Sequence, residues 1–239
     1  VGRTEGRPIG ALYSIPFAGL TEEGLPTFFI DAEHTQVVGP GNYAAIYFQE
    51  YENIDYLKYE GTIDPKITGS FGNTFSWKGL KLNVFFTYSF GNVLRLDNLC
   101  PVYSSDYSDL TASMKEMKNR WMVPGDENVT TIPSIPTVRQ MREIDALSNA
   151  YSAYNYSTER VAKGDFIRLK ELSLAYDLPK KYLEGQQAIS NFGVKLSATN
   201  LWLAYADKKL NGRDPEYYNT GGVSSPVPRQ FTLTVKLGF

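Results

Sequence analysis

The sequence predicts an all-β chain of long, two-faced antiparallel strands, of the kind that line a membrane-spanning barrel. Three observations predict it: segments alternating apolar and polar residues with a period of two, connections that alternate short and long, and an aromatic, turn-rich composition. The 239 residues include 17 Tyr, 13 Phe and 3 Trp, with 20 Gly and 13 Pro. Aromatic side chains favour strands, and glycine and proline favour the turns between them.

The first such segment, 66–77 (KITGSFGNTFSW), sets Ile67, Phe71, Phe75 and Trp77 against Lys66, Thr68, Ser70, Gly72, Thr74 and Ser76. After the short turn Lys78-Gly79, segment 80–94 carries Leu80, Leu82, Val84, Phe86, Tyr88 and Phe90 at every second position. Segment 164–178 alternates Leu172, Leu174, Tyr176 and Leu178 with Glu171, Ser173, Ala175 and Asp177, and Pro179 ends it because proline cannot donate to a ladder. Segment 191–205 places Phe192, Val194, Leu196 and Ala198 opposite Lys195, Ser197 and Thr199. The closing stretch 231–239, FTLTVKLGF, alternates throughout. Each is long enough for the ~9–11 residues a tilted strand needs to cross a bilayer.

The connections 78–79 and 179–190 are short, whereas 95–163 and 206–227 are long and fall on one end of the sheet together with the leading segment 1–65. Outer-membrane barrels combine short periplasmic turns with long extracellular loops in this way. Within the longer loop, Leu110, Met114, Met117 and Trp121 follow a helical spacing behind Ser108 or Asp109 as N-cap, so one short helix is expected there. Five strands cannot close a barrel, and an open edge in hydrocarbon leaves backbone groups unpaired at several kcal/mol each. The remaining strands are therefore expected upstream of Val1. Alternation by itself leaves a soluble β-rich binding module open, in which the apolar face would point inward.

Composition excludes other classes. A net charge of -2 provides no basic field for nucleic acid. Cys100 is alone, which rules out an internal disulfide, and His34 is the single histidine, which argues against zinc or Ser-His-Asp chemistry. No run of about 18 apolar residues marks a transmembrane helix, and VGRTEGRPIG lacks a signal-peptide layout, so any leader is expected outside this chain. Carboxylates pair in NGRDPE (Asp214, Glu216, beside Arg213) and in PGDEN (Asp126, Glu127). Such pairs can perform acid/base work or hold calcium in a loop, but Asp-Pro also simply starts turns. Neither pair comes with a nucleophile and oxyanion donors, so no enzyme is expected.

Five segments, in order, resemble the C-terminal part of the SusC/RagA-like branch of TonB-dependent outer-membrane transporters: GALYSIPFAGLTEEGLPTFF (10–29), YEGTIDPKITGSFGNTFSWKGLKLNVFFTYSFGN (59–92), NRWMVPGDENVTTIP (119–133), GDFIRLKELSLAYDLPKKYL (164–183) and NLWLAYADKKLNGRDPE (200–216). The resemblance implies a bacterial outer-membrane location and a barrel of about 22 strands with a plugged lumen. It also implies import of oligosaccharides or peptides, a TonB complex acting through an N-terminal plug outside this chain, and a SusD-like surface lipoprotein as lid. Transporter–lipoprotein pairs joined as a dimer are a further implied partner arrangement. On this reading 1–65 is an extracellular loop region, 66–95 a transmembrane hairpin, 96–163 a long extracellular loop with a short helix, and 164–239 the last three barrel strands. The rivals are a passive or secretion-related barrel and a soluble glycan-binding module.

Candidate residues follow. Phe75, Trp77, Tyr88, Tyr176 and Phe239 stand near strand ends as an aromatic girdle at headgroup level. Tyr103, Tyr107, Tyr151, Tyr154, Tyr156, Tyr217 and Tyr218 stand in long loops, where they stack on ligand or pack the loops together. Tyr217, Tyr218, Arg213 and Asp214 are the candidate substrate contacts. Lys195, Ser197, Thr232, Thr234 and Lys236 are candidate lumen-facing residues. The resemblance gives Phe239 the role of a barrel-assembly signal. No cofactor is expected beyond a possible loop calcium ion.

Overall fold

A computed structural model of the chain describes residues 5–46, 55–99, 115–183, 189–218 and 226–239. Cys100, Tyr103, Tyr107, Leu110 and Met114 lie outside them, as do Ser108 and Asp109. The chain divides into two compact units, Val1–Ile63 with Val93–Ala162 and Asp64–Asn92 with Lys163–Phe239.

The first unit is built from short elements. Strand β1 (Ala11–Ser14) is followed by β2 (Phe17–Leu20), β3 (Pro26–Phe29), β4 (Val37–Val38) and β5 (Lys58–Thr62). Strands β1 and β5 pair antiparallel, and β2, β3 and β4 form a second small sheet. Phe28, Leu25, Tyr43 and Val38 are fully enclosed, and the Phe17 ring packs edge-on against Phe28 and Tyr154 at 6.0 and 5.7 Å. The Tyr43 hydroxyl donates to Pro26 O at 2.9 Å, and burial holds its pKa well above the ordinary tyrosine range.

In the second unit, β6 (Ile67–Trp77) and β7 (Leu80–Phe90) form a hairpin. Lys78 and Gly79 sit at φ 45° and 88°, positive at both central positions as a type I′ turn requires. The first unit resumes with β8 (Val93–Arg95), helices α1 (Val138–Glu143) and α2 (Leu147–Asn155), and β9 (Val161–Lys163), which pairs with β8. Strands β10 (Phe166–Asp177), β11 (Asn191–Ala206) and β12 (Gln230–Gly238) complete an antiparallel sheet ordered β12-β11-β10-β7-β6.

Register keeps one face apolar across all five strands. Phe75 lies opposite Leu82, Leu82 opposite Leu174, Leu174 opposite Leu196, and Leu196 opposite Leu233. Apolar positions are even in 172–176 but odd at Ile167 and Leu169, and an irregularity between Leu169 and Glu171, toward both neighbouring strands, absorbs the change. A one-residue slip would otherwise send half the strand's apolar side chains to the wrong face. In β11, Asn200 (φ 53°) is the matching distortion, and Trp202 and Tyr205 pair with Leu169 and Ile167.

The first half of the helix expected over 110–121 lies outside the described residues. Lys115–Asn119 forms a 3-10 turn with Met117 buried, while the longer helices lie further on. Helix α1 begins at a capping box between Thr137 and Gln140. Helix α2 buries Leu147, Ala150, Tyr151 and Tyr154, an i, i+3, i+4, i+7 stripe. Tyr151 and Tyr154 are therefore core residues of the first unit, not loop surface, and the Tyr151 hydroxyl donates to Ser134 O at 2.7 Å.

Candidate functional site

The second unit has a polar face opposite its apolar one. Lys195 pairs with Thr234, Ser197 with Thr232 and Gly193 with Lys236, so all five candidate lumen residues share that face. Ser173, between Asn83 and Ser197 in the ladder, is buried. Charges along the face are matched: Lys81 Nζ meets Asp177 Oδ2 at 2.9 Å and Lys195 Nζ meets Glu171 Oε1 at 3.6 Å. Exposed ion pairs of this kind contribute at most about 1 kcal/mol each, so they serve to keep the face hydrophilic more than to hold it together.

The loop after β11 folds back in short turns. Asp207 caps the turn Lys208–Leu210 and also accepts Lys163 N at 2.8 Å, tying the loop's start to the residue that opens the second half of the same unit. Leu210 is buried, and Asn211 and Gly212 at φ 52° and 84° reverse the chain. Asp214 caps the next turn, Pro215–Tyr217. An open cleft of about 710 Å³ lies at the foot of the loop, lined by Lys163, Leu203–Lys208 and Gly212.

Of the candidate ligand contacts, Arg213 and Tyr218 are brought together: Arg213 Nη1 donates to the Tyr218 hydroxyl at 3.1 Å and the guanidinium sits 5.5 Å from that ring. Tyr217 is half-buried beside them. Asp214 is engaged elsewhere, because both its oxygens accept from Arg168 Nη2 at 2.5 Å. Arg168 stands in the motif of 164–183, and nothing in a strand's own alternation shows its partner in a distant loop.

The quoted motifs meet in the folded chain: segment 59–92 pairs with 10–29 through β1 and β5 and with 164–183 through β7 and β10. The Trp121 ring occupies the space where a Cβ on Gly24 would stand, and Ser134 N donates to Gly24 O at 2.9 Å, so segment 10–29 packs on segment 119–133. Segment 164–183 meets segment 200–216 through Arg168 and Asp214.

The PGDEN carboxylates work within their own loop. Asp126 Oδ2 accepts Met122 N and Val123 N at 2.9 and 3.0 Å, and Glu127 Oε2 accepts Gly125 N and Trp121 Nε1 at 2.8 and 3.1 Å. Backbone and indole donors hold the Glu127 carboxyl below the usual glutamate range. Among the described residues no group of three or more His, Cys, Asp or Glu is placed to hold a metal. Tyr156 is exposed near the Arg95 guanidinium, whose pKa burial lowers against the opposing pull of Glu60 and the Tyr156 phenol group. Arg95 donates to Tyr13 O and Ser157 O, which makes it a brace of the first unit.

No family model matches the chain. It is 28% identical over 261 aligned positions to TonB-dependent receptor P3 of Formosa agariphila, covering 98% of this chain and 22% of that protein. TonB-dependent receptor P39 of the same organism is 25% identical over 158 positions, 66% of this chain and 14% of its own length. The fold matches the RagAB peptide transporter with TM-score 0.64 at 24% identity, over 96% of this chain and 22% of that one. It also matches the RagAB peptide importer in its "open-open" state with TM-score 0.59 at 25% identity, over 95% of this chain and 22% of that one. This chain resembles the SusC/RagA-like transporters. The motif resemblance and the all-β barrel-strand fold class both stand, and the relatives are named as receptors and transporters, in keeping with a non-enzymatic chain. The chain spans about a fifth of the longest-matched curated relative.

Proposed function

We propose that this chain forms part of the wall of a TonB-dependent importer in the bacterial outer membrane. The observation that carries it is the placement of the sheet's apolar face: Phe71, Leu196, Leu233 and Val235 are exposed while Ser89, Ser173 and Arg168 on the other face are buried. Exposed apolar area costs about 25 cal/mol per Å² in water, so a continuous apolar face over five strands calls for lipid. The polar face, with Lys195, Ser197, Thr232, Thr234 and Lys236, lines the lumen and meets plug, water or solute. Phe239, exposed at the end of the last strand, is the assembly signal.

The remaining barrel strands, the plug and a TonB complex supply closure and work, and a SusD-like lipoprotein covers the outer side; two such pairs form the assembled dimer. Likeness to receptors P3 and P39 supports the energised reading over a passive or secretion-related barrel. Peptides are the first substrate class to test, because RagAB is described as a peptide importer, with oligosaccharides second. Tyr217, Tyr218 and Arg213 are the proposed ligand contacts, and among the described residues no group of three or more acidic, His or Cys side chains favours calcium.

The test is uptake of fluorescent peptides and oligosaccharides by cells carrying or lacking the full-length gene, with and without a protonophore. Gene-dependent uptake that collapses with the proton-motive force supports the importer. Gene-dependent uptake that ignores the protonophore overturns it in favour of a passive barrel.

A further inference from the structure

Arg168 is out of place on its strand. It lies in β10 opposite Thr87 and Leu203, on the face that carries Ser89, Phe85, Glu171 and Ser173, with its guanidinium 5.6 Å from the Phe166 ring. Its side chain is only 7% exposed. Long-stemmed cations are seldom enclosed unless paired, because the charge loses its hydration. Its two acidic partners come from one short turn of the loop, not from the wall. Asp214 takes Nη2 on both oxygens at 2.5 Å and is itself 9% exposed, while Glu216 Oε2 lies 3.3 Å from Nε. Asp214 also accepts Glu216 N at 3.1 Å, so a single carboxylate caps the turn and receives the guanidinium.

The wall does not need this arrangement. Strand β10 is already paired on both sides, with β7 and β11, and a serine would continue the polar face. What the ion group secures is the loop. Arg168 fixes Asp214, and the adjoining residues Arg213, Tyr217 and Tyr218 are thereby held over the polar face of the sheet.

We infer that Arg168 is a positioning residue that locks the 207–218 loop onto the lumen wall, so that the loop is a fixed ledge for ligand and not a mobile gate. The inference rests on the importer reading for its ligand, but not for the lock. Arginine suits the task because its spread charge reaches Asp214 through Nη2 and lies within 3.3 Å of Glu216 through Nε, which, though not hydrogen-bonded, stays in ion-pair range; lysine's single ammonium does not offer both positions.

The test uses the full-length protein in lipid nanodiscs, with Arg168→Met, Arg168→Lys and the loop-side pair Asp214→Asn/Glu216→Gln. Three quantities are read: heat-resistant barrel migration on gels, hydrogen exchange of 207–218, and concentration-dependent peptide uptake in cells. The lock predicts an intact barrel in all variants and exchange in 207–218 faster by about tenfold or more in Arg168→Met, the effect of losing one contact of ordinary strength. Arg168→Lys falls between, and half-saturation for uptake rises while maximal uptake is kept. Should Arg168→Met fail to assemble, the loop-side pair decides, since it leaves the wall untouched. Unchanged exchange in 207–218, or loss of the barrel in the loop-side pair, overturns the lock. A wild-type protein that takes up no ligand defeats the importer reading alone, and the exchange result still judges Arg168.

Discussion

The two units of this chain place their apolar residues in opposite ways. In the first, Leu25, Phe28, Tyr43, Leu147 and Tyr154 are enclosed, and α2 and the small sheets close around them. In the second, the buried hydrophobic side chains among the described residues are Ala198 and Leu210, while Phe71, Trp77, Leu233 and Val235 stand open. One chain thus follows two solvent rules. Residues that face water gather their apolar side chains inward, and a sheet whose apolar side is outward must have another apolar phase to meet. The contrast teaches that alternation fixes two faces without naming the buried one; on β10 burial assigns it, with Arg168 and Ser173 buried and Leu174 and Tyr176 exposed.

The largest expected effect attacks the inward core. Phe28→Ala removes a fully enclosed ring and is expected to destabilise the first unit by about 3–5 kcal/mol, read as lost protection of α2 and β3 in hydrogen exchange. The same substitution type at the exposed Phe71 should change the first unit's protection hardly at all. Next comes the outward face. Leu233→Arg is expected to cost about 2–4 kcal/mol of barrel stability if that position lies near the bilayer midplane, measured by urea titration in lipid, whereas neighbouring Thr232→Arg is tolerated. Equal costs at 232 and 233 would erase the contrast.

A smaller effect tests the hairpin. Gly79 holds φ 88°, and a Cβ there would stand 2.7 Å from Asp177 O, so Gly79→Ala is expected to cost about 1–2 kcal/mol in the same titration. The smallest concerns pH in the first unit. Folding lowers the Glu127 pKa, so the stability from its contacts is complete above the ordinary glutamate value and is lost as pH falls through the lower, folded one. Hydrogen exchange of 119–128 should quicken only in that acidic window, and Glu127→Gln should abolish the dependence.

How much was legible differs between the units for a physical reason. Period-two alternation is local, so β6, β10, β11 and β12 are read within one or two residues of their observed ends, β7 is read four residues too long at its C-terminal end, and the Lys78-Gly79 turn comes with them. Helix α2 was missed because its stripe is written in Tyr, Ala, Ser and Asn, which resembles a polar loop; the Thr137–Gln140 box of α1 was readable and passed over. Tyr151 and Tyr154 were assigned to loops for the same cause. The Arg168–Asp214 pair joins positions 46 residues apart, a proximity that no local pattern encodes. Ordered motifs brought both residues into view, and only the folded chain put them in contact.

The central claim is that the apolar face of the β6–β12 sheet meets lipid. It is tested most directly by placing single cysteines along 231–238 of the full-length protein, with Cys100 replaced, and attaching a spin label at each. In bilayers, the account predicts that labels at 231, 233, 235 and 237 are relaxed by oxygen and shielded from a water-soluble nickel reagent, with 232, 234 and 236 showing the reverse. Odd positions open to nickel and closed to oxygen would contradict it.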